Sequence, residues 1–180
     1  MDSLEKALNH TLRNEGGFVD NPTDRGGATR YGITKWVARR AGYWGHMADL
    51  PMETAKAIYR AKYWEHRRLR LDPVAEWYES AALELFDTAV NMGVVRAAKF
   101  FQRALNALNR NQTLYPDLVV DGWAGAATMA AMGKLRTNVE KRVGVKMRDS
   151  LHGAFYSKIM QADTTQEKYA RGWFDHRVGL

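Results

Sequence analysis

The chain has 180 residues, 46% of them hydrophobic and 26% charged, with a mean hydropathy of -0.48; that is enough apolar material for one sizeable core, and it excludes wholesale disorder. Lys and Arg outnumber Asp and Glu by 27 to 20, a net charge of +7, so the surface field attracts polyanions such as nucleic acid, anionic lipid or anionic wall polymer. The lack of cysteine excludes a disulfide framework, thiol nucleophiles and Cys-based zinc or iron–sulfur sites.

Asp2 followed by Glu5 reads as a capping pair, and Leu4, Ala7, Leu8, Thr11 and Leu12 recur at helical spacing, which predicts a first amphipathic helix ending near Asn14. From Glu15 to Gly32 the density of Gly, Pro, Asn and Asp breaks that pattern and predicts a loop or a short twisted β-hairpin. Thr34 caps a short helix through Trp36, Val37 and Ala41, with Gly42 as its C′ residue. Pro51 starts a helix with the stripe Ala55, Ile58, Tyr59, Lys62 and Tyr63, ending near His66, and Asp72-Pro73 marks the next break. Glu79 to Met92, stopped by Gly93, is the expected central buried helix. Val94 to Asn109 reads as another helix, followed by a polar loop to Asp121. A turn at Asp121-Gly122 and Gly125 precedes Ala126–Met132, a long helix from about Leu135 to Met160, and a short one from Glu167 to Phe174. No strand–helix alternation supports a parallel sheet.

No run approaches 18 apolar residues, and the first five residues have neither a basic nor an apolar leader character, so neither a membrane span nor a signal peptide is expected. His10, His46, His66, His152 and His176 are scattered without an i, i+4 pair, and no serine sits in a G-x-S-x-G turn. Gly27 to Gly32 has phosphate-loop spacing, but Ile33 stands where the lysine must reach the phosphates. Carboxylate chemistry remains, with no metal and no cofactor.

Glu15 stands where the first helix gives way to the glycine-rich segment, a way to hold a carboxyl against a cleft wall. There its neutral form is favoured and can donate a proton to a glycosidic oxygen. Asp24 and Thr29 follow, and a hairpin folding back over the helix end would set both opposite Glu15 across a groove, the arrangement of sugar-chain hydrolysis. The same residues also fit a solvated helix end and ordinary turn formers.

Glu15-Gly16-Gly17-Phe18, Asn21-Pro22, Asp24, Gly26-Gly27-Ala28-Thr29 and Tyr31-Gly32-Ile33-Thr34 together resemble the signature of glycoside hydrolase family 108, the EGG-motif muramidases of prophage endolysins and endolysin-derived secretion systems. Ala57-Ile58-Tyr59, Tyr63-Trp64, Phe86-Asp87 and Val90-Asn91-Met92-Gly93 extend the likeness. Beyond Gly93, Phe101-Gln102, Ala104-Leu105-Asn106, Asp121-Gly122, Gly125, Thr128 and Gly172-Trp173-Phe174 with Arg177 resemble the peptidoglycan-binding domain that follows it. Phe18 replaces a commoner Tyr. The spacing of Glu15, Asp24 and Thr29 is similar to that of phage-type lysozymes, with one residue fewer between the last two.

The resemblance implies Glu15 as general acid and an ionised Asp24 that orients water or stabilises oxocarbenium charge, with Thr29 holding that water or a sugar amide. Gly27, Tyr31, Thr34, Asp87 and Asn91 are the candidate substrate contacts. Gly27, like Gly26, lets the backbone approach the glycan. Tyr31, Trp36 and Trp64 offer sugar-stacking faces or core rings. Asp87 and Asn91, one turn apart, either line the groove or anchor a loop. Arg60, Lys62, Arg67, Arg68 and Arg70 around Tyr63 and Trp64 read as a nucleic-acid surface or a solvated helix face, and Asp121-Gly122-Trp123 as a glycan-contacting loop or a supporting turn.

The expected fold is mainly α, of lysozyme-like α+β type: a helical bundle with a small β-hairpin and a C-terminal helical subdomain, divided as 1–93 catalytic and 94–180 peptidoglycan-binding. The expected reaction is hydrolysis of the β-1,4 bond between N-acetylmuramic acid and N-acetylglucosamine in peptidoglycan glycan strands. The protein is expected to be a monomer, with no nucleic-acid partner and no stable membrane insertion. It would be made in the bacterial cytoplasm and act in the periplasm or cell wall through a holin-type export partner. A non-catalytic wall-binding module and a basic nucleic-acid-binding protein are the competing classes.

Overall fold

The structure, a computed structural model, describes residues 2–14, 17–20, 27–176 and 178. The chain forms two compact units, Met1–Glu65 and His66–Leu180, so compactness divides it earlier than the boundary read at Gly93.

The first unit opens with helix α1, Ser3–Asn14. The Asp2 carboxylate accepts the Glu5 amide proton at 2.7 Å, satisfying a first-turn N–H that has no intrahelical partner. Ala7, Leu8, Thr11 and Leu12 are buried, the face that their spacing predicts. Strands β1, Thr29–Arg30, and β2, Ile33–Thr34, pair antiparallel, with Thr29 opposite Thr34 and Arg30 opposite Ile33. Val19 bridges to the outer side of Thr29 through two backbone hydrogen bonds of 2.8 and 2.7 Å. Thr34 then caps α2, Lys35–Arg40, its hydroxyl accepting from the Val37 amide.

Helix α3, Met52–Tyr59, follows Pro51 and widens into a π-helical turn, Arg60–Trp64. That turn is closed by the Glu65 amide on the Arg60 carbonyl at 2.9 Å and braced by Arg60 Nε donating to Glu65 at 2.7 Å. The helical run thus ends slightly before His66, and Trp64 is buried in the core. Lys56 reaches the Glu5 carboxylate at 3.2 Å, linking α3 to α1 at the surface, and that carboxylate raises the Lys56 pKa.

The second unit contains α4 (Leu71–Trp77), α5 (Glu79–Met92), α6 (Val94–Leu108), α7 (Ala126–Met132), α8 (Asn138–Ala162) and α9 (Ala170–His176), with a 3-10 turn at Thr164–Tyr169. Helix α5 packs on α4, α6 and α8, and α6 also packs on α8. Leu69, Leu71, Leu85, Leu105 and Leu135 are fully buried among them, each such burial stabilising by about 1.5–3 kcal/mol.

Three expectations change. Asp72-Pro73 does not break the chain: Pro73 lies in the first turn of α4, where its missing N–H forfeits no intrahelical bond. Helix α8 starts at Asn138 because Thr137 and Glu140 form a reciprocal capping box, the Thr137 hydroxyl accepting the Glu140 amide and the Glu140 carboxylate accepting the Thr137 amide. The last helix is preceded by a 3-10 turn and runs to His176. Among the described residues the architecture is mainly helical with one small hairpin, as predicted.

Glu84 and Thr88, buried polar groups of α5, find a partner in Arg148 of α8. Its guanidinium pairs with Glu84 and Asp149, donates to the Thr88 hydroxyl at 2.7 Å, and lies 3.1 Å from His152 Nδ1. Glu84, Thr88, Arg148 and His152 are all at most 2% exposed. Burial pulls the Arg148 pKa below its ordinary value, and the Asp149 carboxylate opposes that shift.

Candidate active site

The hairpin is the best-defined part of the predicted site. Tyr31 and Gly32 form its two-residue turn with φ of +52° and +70°, the left-handed pair of a type I′ turn. Such turns favour Asn-Gly; glycine suits the second position, but a tyrosine at the first costs about 1–2 kcal/mol. The surroundings hold it there. The Tyr59 hydroxyl donates to the Tyr31 carbonyl at 2.9 Å, and the Arg30 guanidinium lies 5.0 Å from the Tyr31 ring centroid. A bulky residue kept in a costly backbone state by a dedicated hydrogen bond is the kind of local conflict that functional sites carry.

Thr29 heads β1, half-buried, its hydroxyl donating to the Gly27 carbonyl at 3.2 Å. Its hydrogen is used within the loop, and the oxygen's remaining acceptor capacity is what it offers to a ligand. Gly27 has φ of +67° and passes the Lys35 side chain. Thr34 spends its oxygen on the α2 cap. Glu15 and Asp24 lie outside the described residues. In sequence Glu15 directly follows the last residue of α1, and Asp24 lies between the bridge residue Val19 and the hairpin.

The aromatic candidates separate by exposure. Trp64 is a core residue at 1%, whereas Trp36 is 64% exposed with the Arg40 guanidinium over its ring at 4.7 Å. Trp44, which is not among the residues expected from sequence, is 76% exposed with Arg39 over its ring at 5.5 Å. Arg39 also donates to the Tyr43 and Gly45 carbonyls at 2.5 and 3.0 Å and fixes the loop that presents Trp44. A Tyr-Trp pair followed by glycine outside any helical stripe was the available signal. Trp36 and Trp44 are broad apolar faces of the type that sugar rings stack upon.

In the second unit, Asn91 donates to both the side chain and the backbone carbonyl of Asp87 at 3.0 Å, and Asp87 is buried. The i, i+4 spacing thus pairs the two with each other. The basic run scatters into local partners: Arg60 binds Glu65, while Arg67 and Arg68 cover Trp123 at 5.5 and 5.0 Å. Burial, with Arg67 and Arg68 alongside, lowers the His66 pKa.

The Asp121-Gly122-Trp123 loop folds onto the buried amide of Gln102. That amide donates to the Asp121 carboxylate at 2.8 Å and the Trp123 carbonyl at 3.0 Å, and accepts the Gly122 amide proton at 2.9 Å. Gly122 has φ of +78°, and a Cβ there would come within 2.9 Å of the Val95 carbonyl oxygen. The turn is therefore built from within, while Trp123 remains 38% exposed. Among the described residues no group of three His, Asp or Glu side chains is placed to hold a metal ion, and no helix is long and apolar enough to cross a membrane.

Comparison with known proteins agrees with this architecture. The structure of Brucella abortus SagA superposes with a TM-score of 0.56 at 24% identity, covering 94% of this chain and 96% of that one, a likeness of fold. No curated protein matches the chain. Residues 8–93 match the family Glycosyl hydrolase 108, and residues 96–178 match the Predicted Peptidoglycan domain. The chain therefore belongs to the glycosyl hydrolase 108 family over residues 8–93 and carries a predicted peptidoglycan domain over residues 96–178, which makes it a peptidoglycan hydrolase.

Proposed function

We propose that this peptidoglycan hydrolase is an N-acetylmuramidase that cleaves the β-1,4 bond between N-acetylmuramic acid and N-acetylglucosamine. The observation that carries the reading is the succession of a glycosyl hydrolase 108 segment and a peptidoglycan domain along one chain, with a strained, propped hairpin in the first. Glu15 protonates the leaving oxygen, Asp24 stabilises positive charge or orients the attacking water, and the Thr29 oxygen holds that water or a sugar amide. Tyr31, Trp36 and Trp44 supply apolar faces for the sugar rings. The protein acts as a monomer in the periplasm or wall, reaching it through a holin-type pore in phage-type lysis or in an endolysin-derived secretion process.

Mass spectrometry of muropeptides released from purified sacculi tests the bond. Products with N-acetylmuramic acid at the new reducing end are expected, and Glu15→Gln releases none. New reducing ends on N-acetylglucosamine, or an undiminished Glu15→Gln variant, would overturn the assignment.

A further inference from the structure

Between α6 and α8 the second unit carries a groove of about 730 Å³, within the usual range for ligand sites. Phe100, Leu151, Ala154 and Phe155 supply apolar lining. Its charged lining is all of one sign: Arg96, Lys99 and Arg103 from α6 and Lys158 from α8, with no Asp or Glu. The α6 cations recur at i, i+3 and i+7, so they form one column along a single face of that helix.

Like charges stacked this way repel, and among the described residues none of the four makes a salt bridge with a carboxylate. Arg96 instead donates to the Met92 carbonyl at 3.3 Å and lies 4.2 Å over the Phe155 ring. The surface is therefore charged and unneutralised while its lining is greasy.

Lysine and arginine only donate hydrogen bonds. A saccharide hydroxyl needs an acceptor as well as a donor, so a donor-only wall suits it poorly. The wall suits a ligand that presents carboxylates, pure acceptors carrying negative charge, alongside small apolar groups. Nucleic acid meets the charge requirement but asks for open aromatic faces, and here Phe100 is 3% exposed while Phe155 is covered by Arg96. Seven residues of helix extend about 10 Å, the span of roughly three residues of extended peptide.

We propose that this groove binds the carboxylate-bearing peptide stem of peptidoglycan, alanine methyl groups against the accessible Leu151 and Ala154 and carboxylates along the Arg96–Lys99–Arg103 column. The inference rests on the reading of the protein as a peptidoglycan hydrolase for its choice among acidic peptides. It makes the second unit a reader of the peptide while the first unit works on the glycan.

The test is calorimetric titration of the full chain with a synthetic stem tetrapeptide, its carboxamide analogue, a peptide-free glycan oligomer, phosphatidylglycerol vesicles and a single-stranded oligonucleotide. Binding of the tetrapeptide is expected to weaken with salt, about tenfold in Lys99→Glu/Arg103→Glu, and to a similar extent when the carboxylates are amidated. The ligand-side change keeps the test decisive should the double variant misfold. No tetrapeptide binding, equal binding of the carboxamide, or binding of only vesicles, oligonucleotide or glycan overturns the proposal. Digestion of sacculi is scored alongside: digestion without tetrapeptide binding overturns the groove assignment alone, and tetrapeptide binding without digestion overturns the hydrolase reading alone.

Discussion

Replacing Tyr31 by Asn separates the architectural role of that residue from any contact it makes with substrate. Tyrosine at φ of +52° costs about 1–2 kcal/mol relative to a residue at ease in the left-handed region, and asparagine recovers part of this. The exchange forfeits the Arg30 stacking on the ring, worth about 0.5–1 kcal/mol at a solvent-accessible site. The backbone acceptor for the Tyr59 hydroxyl is kept. The two side-chain effects oppose each other, so global stability should stay within about 1 kcal/mol of wild type, a shift in Tm of at most about 4 °C.

If the ring packs against a sugar in the bound complex, its loss removes about 1.5–3 kcal/mol of apolar contact, and kcat/KM on sacculi falls between about ten- and a hundredfold. Tyr31→Phe keeps the ring and gives up only the hydroxyl, which accepts from Arg30 at 3.3 Å, so it should remain near wild type. Thermal melts and initial rates of sacculus digestion on the three proteins decide the matter. A Tyr31→Asn protein with native stability and a rate within twofold of wild type would refute the argument that the strained turn exists to present this ring.

Two other outcomes follow from the second unit. Glu84→Gln leaves Arg148 buried with only Asp149 to balance it and should destabilise by about 3 kcal/mol, lowering Tm by about 6–12 °C; a melt within 2 °C of wild type would show that Glu84 does not balance that charge. The hydrogen bond from Gln102, and after it that from the Trp123 amide, holds the Asp121 pKa below the ordinary value of 3.8. The unfolded chain therefore binds the proton first, so this contribution to stability is present above pH 3.8 and lost as acid is added below it. Asp121→Asn should flatten that part of the stability–pH curve, and an unchanged acid limb would count against the assignment.

Much of this protein was written locally. The helix starts at Asp2, Thr34 and Thr137 depend on a side chain and an amide a few residues apart, and the glycine-rich stretch before Gly32 could not continue a helix. The signature from which Glu15, Asp24 and Thr29 are proposed for glycan chemistry is likewise contiguous. What the tertiary structure alone decided are matters of exposure and distant pairing. Trp36 and Trp64 look alike in sequence, yet one stands in solvent and the other is core, because the π-helical turn carries Trp64 inward. The partner of Glu84 lies 64 positions away on α8. The cations of α6 acquire meaning only once α8 sets Lys158, Leu151 and Phe155 beside them. Local hydrogen bonds and steric limits act over a single turn of chain and can be read from neighbours; burial and pairing of charge depend on which surfaces the folded chain brings into contact.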